Sequence, residues 1–138
     1  MANELSLDLR PEASASAKAR DEIRTAFGDR LPTALLHDLT VVVSELVSNS
    51  VEHGPGTEIQ VRLRIASDGS VFGEVEDKGD GRVAIEDMAD DPSAGLGLRI
   101  VDWLTDRWAV YEGSTHVWFE MGLGDPEEKN QSEPVEPV

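Results

Sequence analysis

The stretch from Leu31 to Gly54 constrains this chain more than any other. Pro32 stands where a helix can begin, and Gly54-Pro55-Gly56 ends the run. Between them Leu35, Leu39, Val42, Val43, Leu46 and Val47 recur on one broad helical face. A helix this apolar must be covered by a sheet or by other helices. Glu45 and Asn49 are four residues apart within it, so they project side by side. A carboxylate on an element built for burial is costly to desolvate unless it is compensated. Positions 41, 42, 48 and 49 are Val, Val, Ser and Asn, so no Lys or Arg lies one turn away on either side. Two readings fit. Glu45 lies at the solvent edge or meets a distant Arg, or it marks a site where a hard cation or a reacting proton is the missing partner.

The length of 138 residues and 39% hydrophobic content suit one domain with a real core. Without cysteine, disulfides and thiolate metal sites are excluded. The net charge of −16 repels nucleic acid and anionic lipid, and suits a basic protein partner or a bound cation. The segment from Met1 to Arg10 has neither the cationic start nor the apolar core of a signal peptide. No apolar run approaches the roughly 20 residues of a membrane span. A cytoplasmic home is expected.

Leu5, Leu7 and Leu9 alternate with polar residues as in a strand, which Pro11 ends. A helix is expected from the N-cap Ser14 to Phe27, with Ala15, Ala19, Ile23 and Phe27 on its apolar side and Gly28 as its stop. After the Leu31–Gly54 helix, the alternation from Ile59 to Ile65, the turn Ser67-Asp68-Gly69-Ser70 and the strand Val71 to Asp77 read as a hairpin. Residues 78–94 read as a long loop, of the kind that is functional or disordered. Gly95-Leu96-Gly97-Leu98 then opens a helix through Leu104. Strands from Trp108 to Tyr111 and from His116 to Met121 follow. The order β-α-α-β-β-loop-α-β-β predicts an α+β fold: a two-layer α/β sandwich with helices on one face of a mixed, mostly antiparallel sheet. Residues 1–121 form the expected domain. Residues 122–138, with Asp125, Glu127, Glu128, Glu133 and Glu136 among prolines, read as a disordered acidic tail.

Three segments each place polar or glycine residues at the end of a regular element. They are Glu45 to Gly54, Asp77-Lys78-Gly79-Asp80-Gly81, and Gly95-Leu96-Gly97-Leu98. Alone, Asp-x-Gly-x-Gly is compatible with an ordinary turn. Gly-x-Gly before a helix is compatible with a simple cap or with an anion site. Neither GxGxxG nor the phosphate-loop pattern occurs.

In this order and spacing, the three resemble the N, G1 and G2 boxes of the GHKL (Bergerat-fold) ATP-binding superfamily. The resemblance covers about Leu31 to Met121. The stand-alone form, preceded by one strand and one helix, looks like the anti-sigma factor serine kinases, whose ATPase domain is histidine-kinase-like. The resemblance implies ATP and Mg²⁺ as ligands. It makes Asn49 the Mg²⁺ ligand and Glu45 the general base that takes the proton of the attacking hydroxyl. Asp77 would accept from the adenine amine, and Gly79 and Gly81 would let the backbone approach the base. Gly95, Leu96, Gly97 and Leu98 would cradle the phosphates, and Thr115 would reach adenine through water. Ser114 stands where the family has Gly, and the lid from Gly81 to Gly95 holds Glu86, Asp87, Asp90 and Asp91 against one Arg82.

The implied activity is a regulatory serine/threonine protein kinase that phosphorylates an anti-sigma-factor antagonist and holds a sigma factor inactive, as a homodimer. A non-catalytic nucleotide-binding interaction module and a detached ATPase domain serving another complex are the alternatives. No direct nucleic-acid or membrane partner is expected. His53 lacks a second His at metal spacing and reads as a helix-end residue. His37-Asp38 lies inside the same helix as Glu45, with no room for a phosphoacceptor hairpin. Trp103, Trp108 and Trp118 read as core or rim packing. Arg20 and Arg24 read as a solvated helix face.

Overall fold

A computed structural model describes residues 3–53, 57–77, 92–110 and 116–122. The elements are β1 (Glu4–Leu9), α1 (Ala15–Phe27), α2 (Thr33–His53), β2 (Ile59–Ile65), β3 (Val71–Asp77), α3 (Pro92–Leu104), β4 (Arg107–Val110) and β5 (Val117–Met121). Most of the loop expected over residues 78–94, Tyr111 to Thr115, and all but Gly122 of the tail lie outside the described residues.

The five strands form one sheet in the order β1-β2-β3-β5-β4. Among the described residues all four pairings are antiparallel, so the described sheet is antiparallel where the sequence predicts a mixed, mostly antiparallel one. Strict alternation in β2, β3 and β5 puts every second residue into the core. Ile59, Val61, Leu63, Val71, Val75, Val117, Phe119 and Met121 form the inner row. α1, α2 and α3 cover it with Ala15, Ala19, Ile23, Phe27, Leu39, Val42, Val43, Leu46, Val47 and Val101 in one cluster. α2 packs against both other helices and lies over β2, β3 and β5. No helix among the described residues is long and apolar enough to cross a membrane.

Gly73 leaves room for the Phe119 ring in this core. It pairs with Phe119, and a Cβ there would stand 2.2 Å from Phe119 Cζ. The β2–β3 hairpin turns at Gly69, whose φ of +90° suits glycine. Asp68 Oδ1 accepts from the Ser70 backbone N–H at 2.9 Å and from its hydroxyl at 2.6 Å, which holds the Asp68 carboxyl below its usual range.

The outer sheet face is polar. Arg62 reaches Glu74 at 3.1 Å and Glu76 at 3.3 Å, and His116 Nε2 lies 3.0 Å from Glu74 Oε1. Phe72 stacks on Trp118 with centroids 6.2 Å apart. Trp118 therefore packs on the outer face and Trp108 is half-buried, while Trp103 is 73% exposed. Trp103 is neither core nor covered rim, because α3 ends one residue later and its last turn turns that position outward.

Two helix starts differ from the sequence reading. Ser14 occupies the N-cap position of α1 but makes no side-chain cap; its hydroxyl lies 3.4 Å from Glu12 Oε1 instead. α3 begins at Pro92 rather than Gly95. Proline's fixed φ and missing N–H suit a first helical position, so Gly95 to Leu98 lie inside the helix rather than ahead of it.

Candidate functional site

α2 carries Ser44, Glu45, Ser48, Asn49 and Ser50 on its later turns, all half-buried. Serines in mid-helix usually weaken it, because their hydroxyls compete for backbone partners. Here two of them face α1. The Ser16 hydroxyl donates to the Ser44 carbonyl at 3.1 Å and lies 2.9 Å from Ser48 Oγ. A hydroxyl has one proton, so Ser48 donates the second bond. Arg20 Nη1 donates to Ser44 Oγ at 2.7 Å. The reading of Arg20 as solvated is thus corrected: it is half-buried and bound across the helix seam. Arg24 is exposed and lies 3.9 Å from Asp21. Ser16 and Arg20 are one turn apart on α1, as Ser44 and Ser48 are on α2. That matched spacing was the signal in the sequence.

The seam grips the residues immediately before Glu45 and Asn49. Its consequence is to fix the rotation of α2, and with it the direction of these two side chains. Among the described residues, Glu45 has no hydrogen bond or ion pair. Asn49 Nδ2 is buried and has no partner. Buried side-chain amides are nearly always satisfied, so this donor suits an acceptor oxygen of a ligand, such as a phosphate's, while a cation would be met by the Asn49 Oδ1 instead.

Asp77 ends β3, paired with Ile59 in the row that continues to Leu9. It faces the helices and is 4% exposed. Burial pushes its carboxyl up to about 6, against a smaller opposing pull from the Ser50 hydroxyl bonded to it. Ser50 follows Asn49 directly, so Asp77 and Asn49 approach the same end of the fold. Thr57, which begins the approach to β2, has a buried Oγ1 without a partner. Sequence reasoning missed Ser50 and Thr57, whose relevance comes from how α2 lies on the sheet.

No group of three or more His, Asp or Glu side chains among the described residues could hold a metal ion by itself. A cation here would need oxygens from a ligand besides Asn49. Leu98 is half-buried against the core. Gly95, Leu96 and Gly97 belong to the early turns of α3. Gly79, Gly81, Thr115 and the acidic lid residues lie outside the described residues, as does the His53 side chain.

The family model for the histidine kinase-like ATPase domain matches residues 9–121. Among solved structures, the chain is similar to the RsbU and RsbW domains of Rv1364c from Mycobacterium tuberculosis, with a TM-score of 0.68 and 24% identity. The match covers 91% of this chain and 34% of that one, so the chain spans about a third of its length. No curated protein matches.

Proposed function

Because the chain belongs to the histidine kinase-like ATPase domain family, we propose that it binds Mg-ATP at the Glu45, Asn49 and Asp77 end of the fold and transfers the γ-phosphate to a protein hydroxyl. The acceptor is a serine or threonine of a small anti-sigma-factor antagonist. The same protein holds a sigma factor inactive, forms a homodimer and works in the cytoplasm.

The observation that supports the reading is a buried Asn49 amide nitrogen without a partner, one residue before the Ser50 that bonds the buried Asp77 carboxylate, with Glu45, unpaired among the described residues, one helical turn before Asn49. Asp77, ionised above its raised pKa, accepts from the exocyclic amine of adenine. Gly79 and Gly81 let the backbone approach the ring, and Thr115 reaches it through water. The first turn of α3, which opens at Pro92 and includes Gly95, offers its unpaired N–H groups to the phosphates, as a helix N-terminus favours, while Leu96, Gly97 and Leu98 follow inside the helix behind it.

Asn49 fits a ligand to a hydrated Mg²⁺, which needs few protein atoms when phosphates supply the rest. When bound, that ion neutralises phosphate charge. Glu45 takes the proton of the attacking hydroxyl. The hydroxyl oxygen bonds to the γ-phosphorus as the bond to the β–γ bridging oxygen breaks, and ADP leaves with that oxygen.

Calorimetric titration with ATP, ADP and GTP, with and without Mg²⁺, tests the binding. Mg²⁺-dependent binding of adenine nucleotides and poor binding of GTP are expected. No heat at millimolar nucleotide would sink the proposal. Transfer of labelled γ-phosphate to the antagonist then separates a kinase from a module that only binds.

A further inference from the structure

Among the described residues three threonines have buried hydroxyls, and two are satisfied at short range. Thr40 Oγ1 donates to the His37 carbonyl at 2.7 Å, and Thr105 Oγ1 to the Val101 carbonyl at 2.8 Å. Thr57 Oγ1 is the third. It is buried and has no partner. An unmet buried hydroxyl has lost its water without recovering a hydrogen bond. A position that bears this cost is suited to a ligand that supplies the bond.

Its place in the fold says which ligand atom. Thr57 is two residues before Ile59, the register partner of Asp77. Two residues of chain reach no more than about 7 Å. The hydroxyl therefore stands at the same end of the sheet as the Asp77 carboxylate. Adenine presents a donating amine and, next to it, a ring nitrogen that accepts. An ionised carboxylate only accepts, so Asp77 meets the amine and leaves the ring nitrogen needing a donor. Asn49 projects beside Glu45, toward the reacting end of the nucleotide in this reading.

We propose that Thr57 reads the base together with Asp77, its hydroxyl donating to the ring nitrogen beside the adenine amine, directly or through one water. The proposal rests on the adenine-nucleotide reading above. Guanine presents the reverse pattern, a carbonyl beside a ring N–H. Asp77 would then face a carbonyl, which it cannot engage, whereas the Thr57 hydroxyl can turn to accept from the N–H, so Asp77 carries the discrimination against guanine and Thr57 adds affinity for adenine.

The test is calorimetric titration of the wild type, Thr57→Val and Thr57→Ser with three Mg²⁺-bound nucleotides. These are ATP, its 1-deaza analogue, in which that ring nitrogen is a CH group, and its 7-deaza analogue, altered on the far edge. Thr57→Val should weaken ATP about 3–10-fold, the scale of one neutral hydrogen bond. Thr57→Ser should retain wild-type affinity. The 1-deaza analogue should bind the wild type more weakly by a similar factor, yet bind Thr57→Val as well as ATP does. The 7-deaza change should act equally on both proteins. The melting temperature of nucleotide-free Thr57→Val should not fall, because an isosteric methyl replaces an unmet hydroxyl. If the wild type binds ATP and Thr57→Val binds it equally well, or still discriminates against the 1-deaza analogue, the role of Thr57 is overturned. If the wild type binds no nucleotide, the adenine reading itself fails.

Discussion

The Ser50 hydroxyl on α2 and the Asp77 carboxylate at the end of β3 share a hydrogen bond that joins the helix to the sheet one residue past Asn49. It is the carboxylate's support in a place where burial opposes its charge. The outcome of that opposition is an acid that titrates at about 6.

The first prediction is a pH dependence of stability with a definite sign. Asp77 is raised in the folded state from the ordinary 3.8 to about 6. The folded protein therefore binds this proton more tightly than the unfolded chain. The stabilisation is fully present below pH about 4 and is lost as pH rises to about 6, a change on the order of 3 kcal/mol. Denaturant midpoints across this window should show a component favouring low pH that is absent from Asp77→Asn. A profile unchanged by the substitution would remove Asp77 as its source.

The same substitution should separate stability from binding. Asp77→Asn removes a buried charge while keeping the shape, so the nucleotide-free protein should be more stable at pH 8. An amide also donates, so the contact with an adenine amine is compromised. ATP affinity should fall by about 1–3 kcal/mol, the scale of a hydrogen bond to a charged group. In the wild type, ATP affinity should fall as pH drops below about 6 and Asp77 takes up its proton. Equal affinity for ATP and GTP in the wild type would refute the role of Asp77.

Gly73 and Phe119 give a prediction confined to packing. In Gly73→Ala the new methyl carbon would sit 2.2 Å from Phe119 Cζ, in a buried strand pair. Overpacking of this kind costs about 1–3 kcal/mol. Adding Phe119→Leu should recover part of that loss, measured as a double-mutant cycle by chemical denaturation. Strictly additive losses would show that the ring is not the obstacle.

Legibility in the sequence followed the range of the interaction. β2, β3 and α2 could be read because apolar spacing is a local signal, and the structure places their buried faces on those residues. The Glu45/Asn49 pair could be read because four residues on a helix always meet. Arg20 could not. Facing away from Ala15, Ala19 and Ile23 looks like facing water until a second helix brings Ser44 to it. Thr57 and Ser50 gain meaning only from the Ile59–Asp77 register and the lie of α2 over β3. α3 begins at Pro92, three residues before the Gly95 expected from the sequence, because the fixed φ and missing N–H of proline suit the first helical position.

The final prediction separates the roles of the two residues that opened the sequence reading. Glu45→Ala removes the proposed base and leaves Asn49 with its buried amide. Asn49→Ala removes the proposed metal ligand and leaves the base. The Ser16, Arg20, Ser44 and Ser48 contacts involve neither side chain, so both variants should keep the α1–α2 seam and the fold. In a kinase, Glu45→Ala should bind Mg-ATP normally while phosphoryl transfer falls by about 10²–10⁴-fold, the usual contribution of a general base. Asn49→Ala should lose the Mg²⁺-dependent part of nucleotide affinity, and transfer with it. The measurement pairs calorimetric affinity with transfer of labelled γ-phosphate to the antagonist. Undiminished transfer by Glu45→Ala would remove it from the mechanism. Nucleotide binding without transfer by the wild type, with its antagonist present, would make the protein a binding module, for which the two variants should differ in Mg²⁺ dependence and in nothing else.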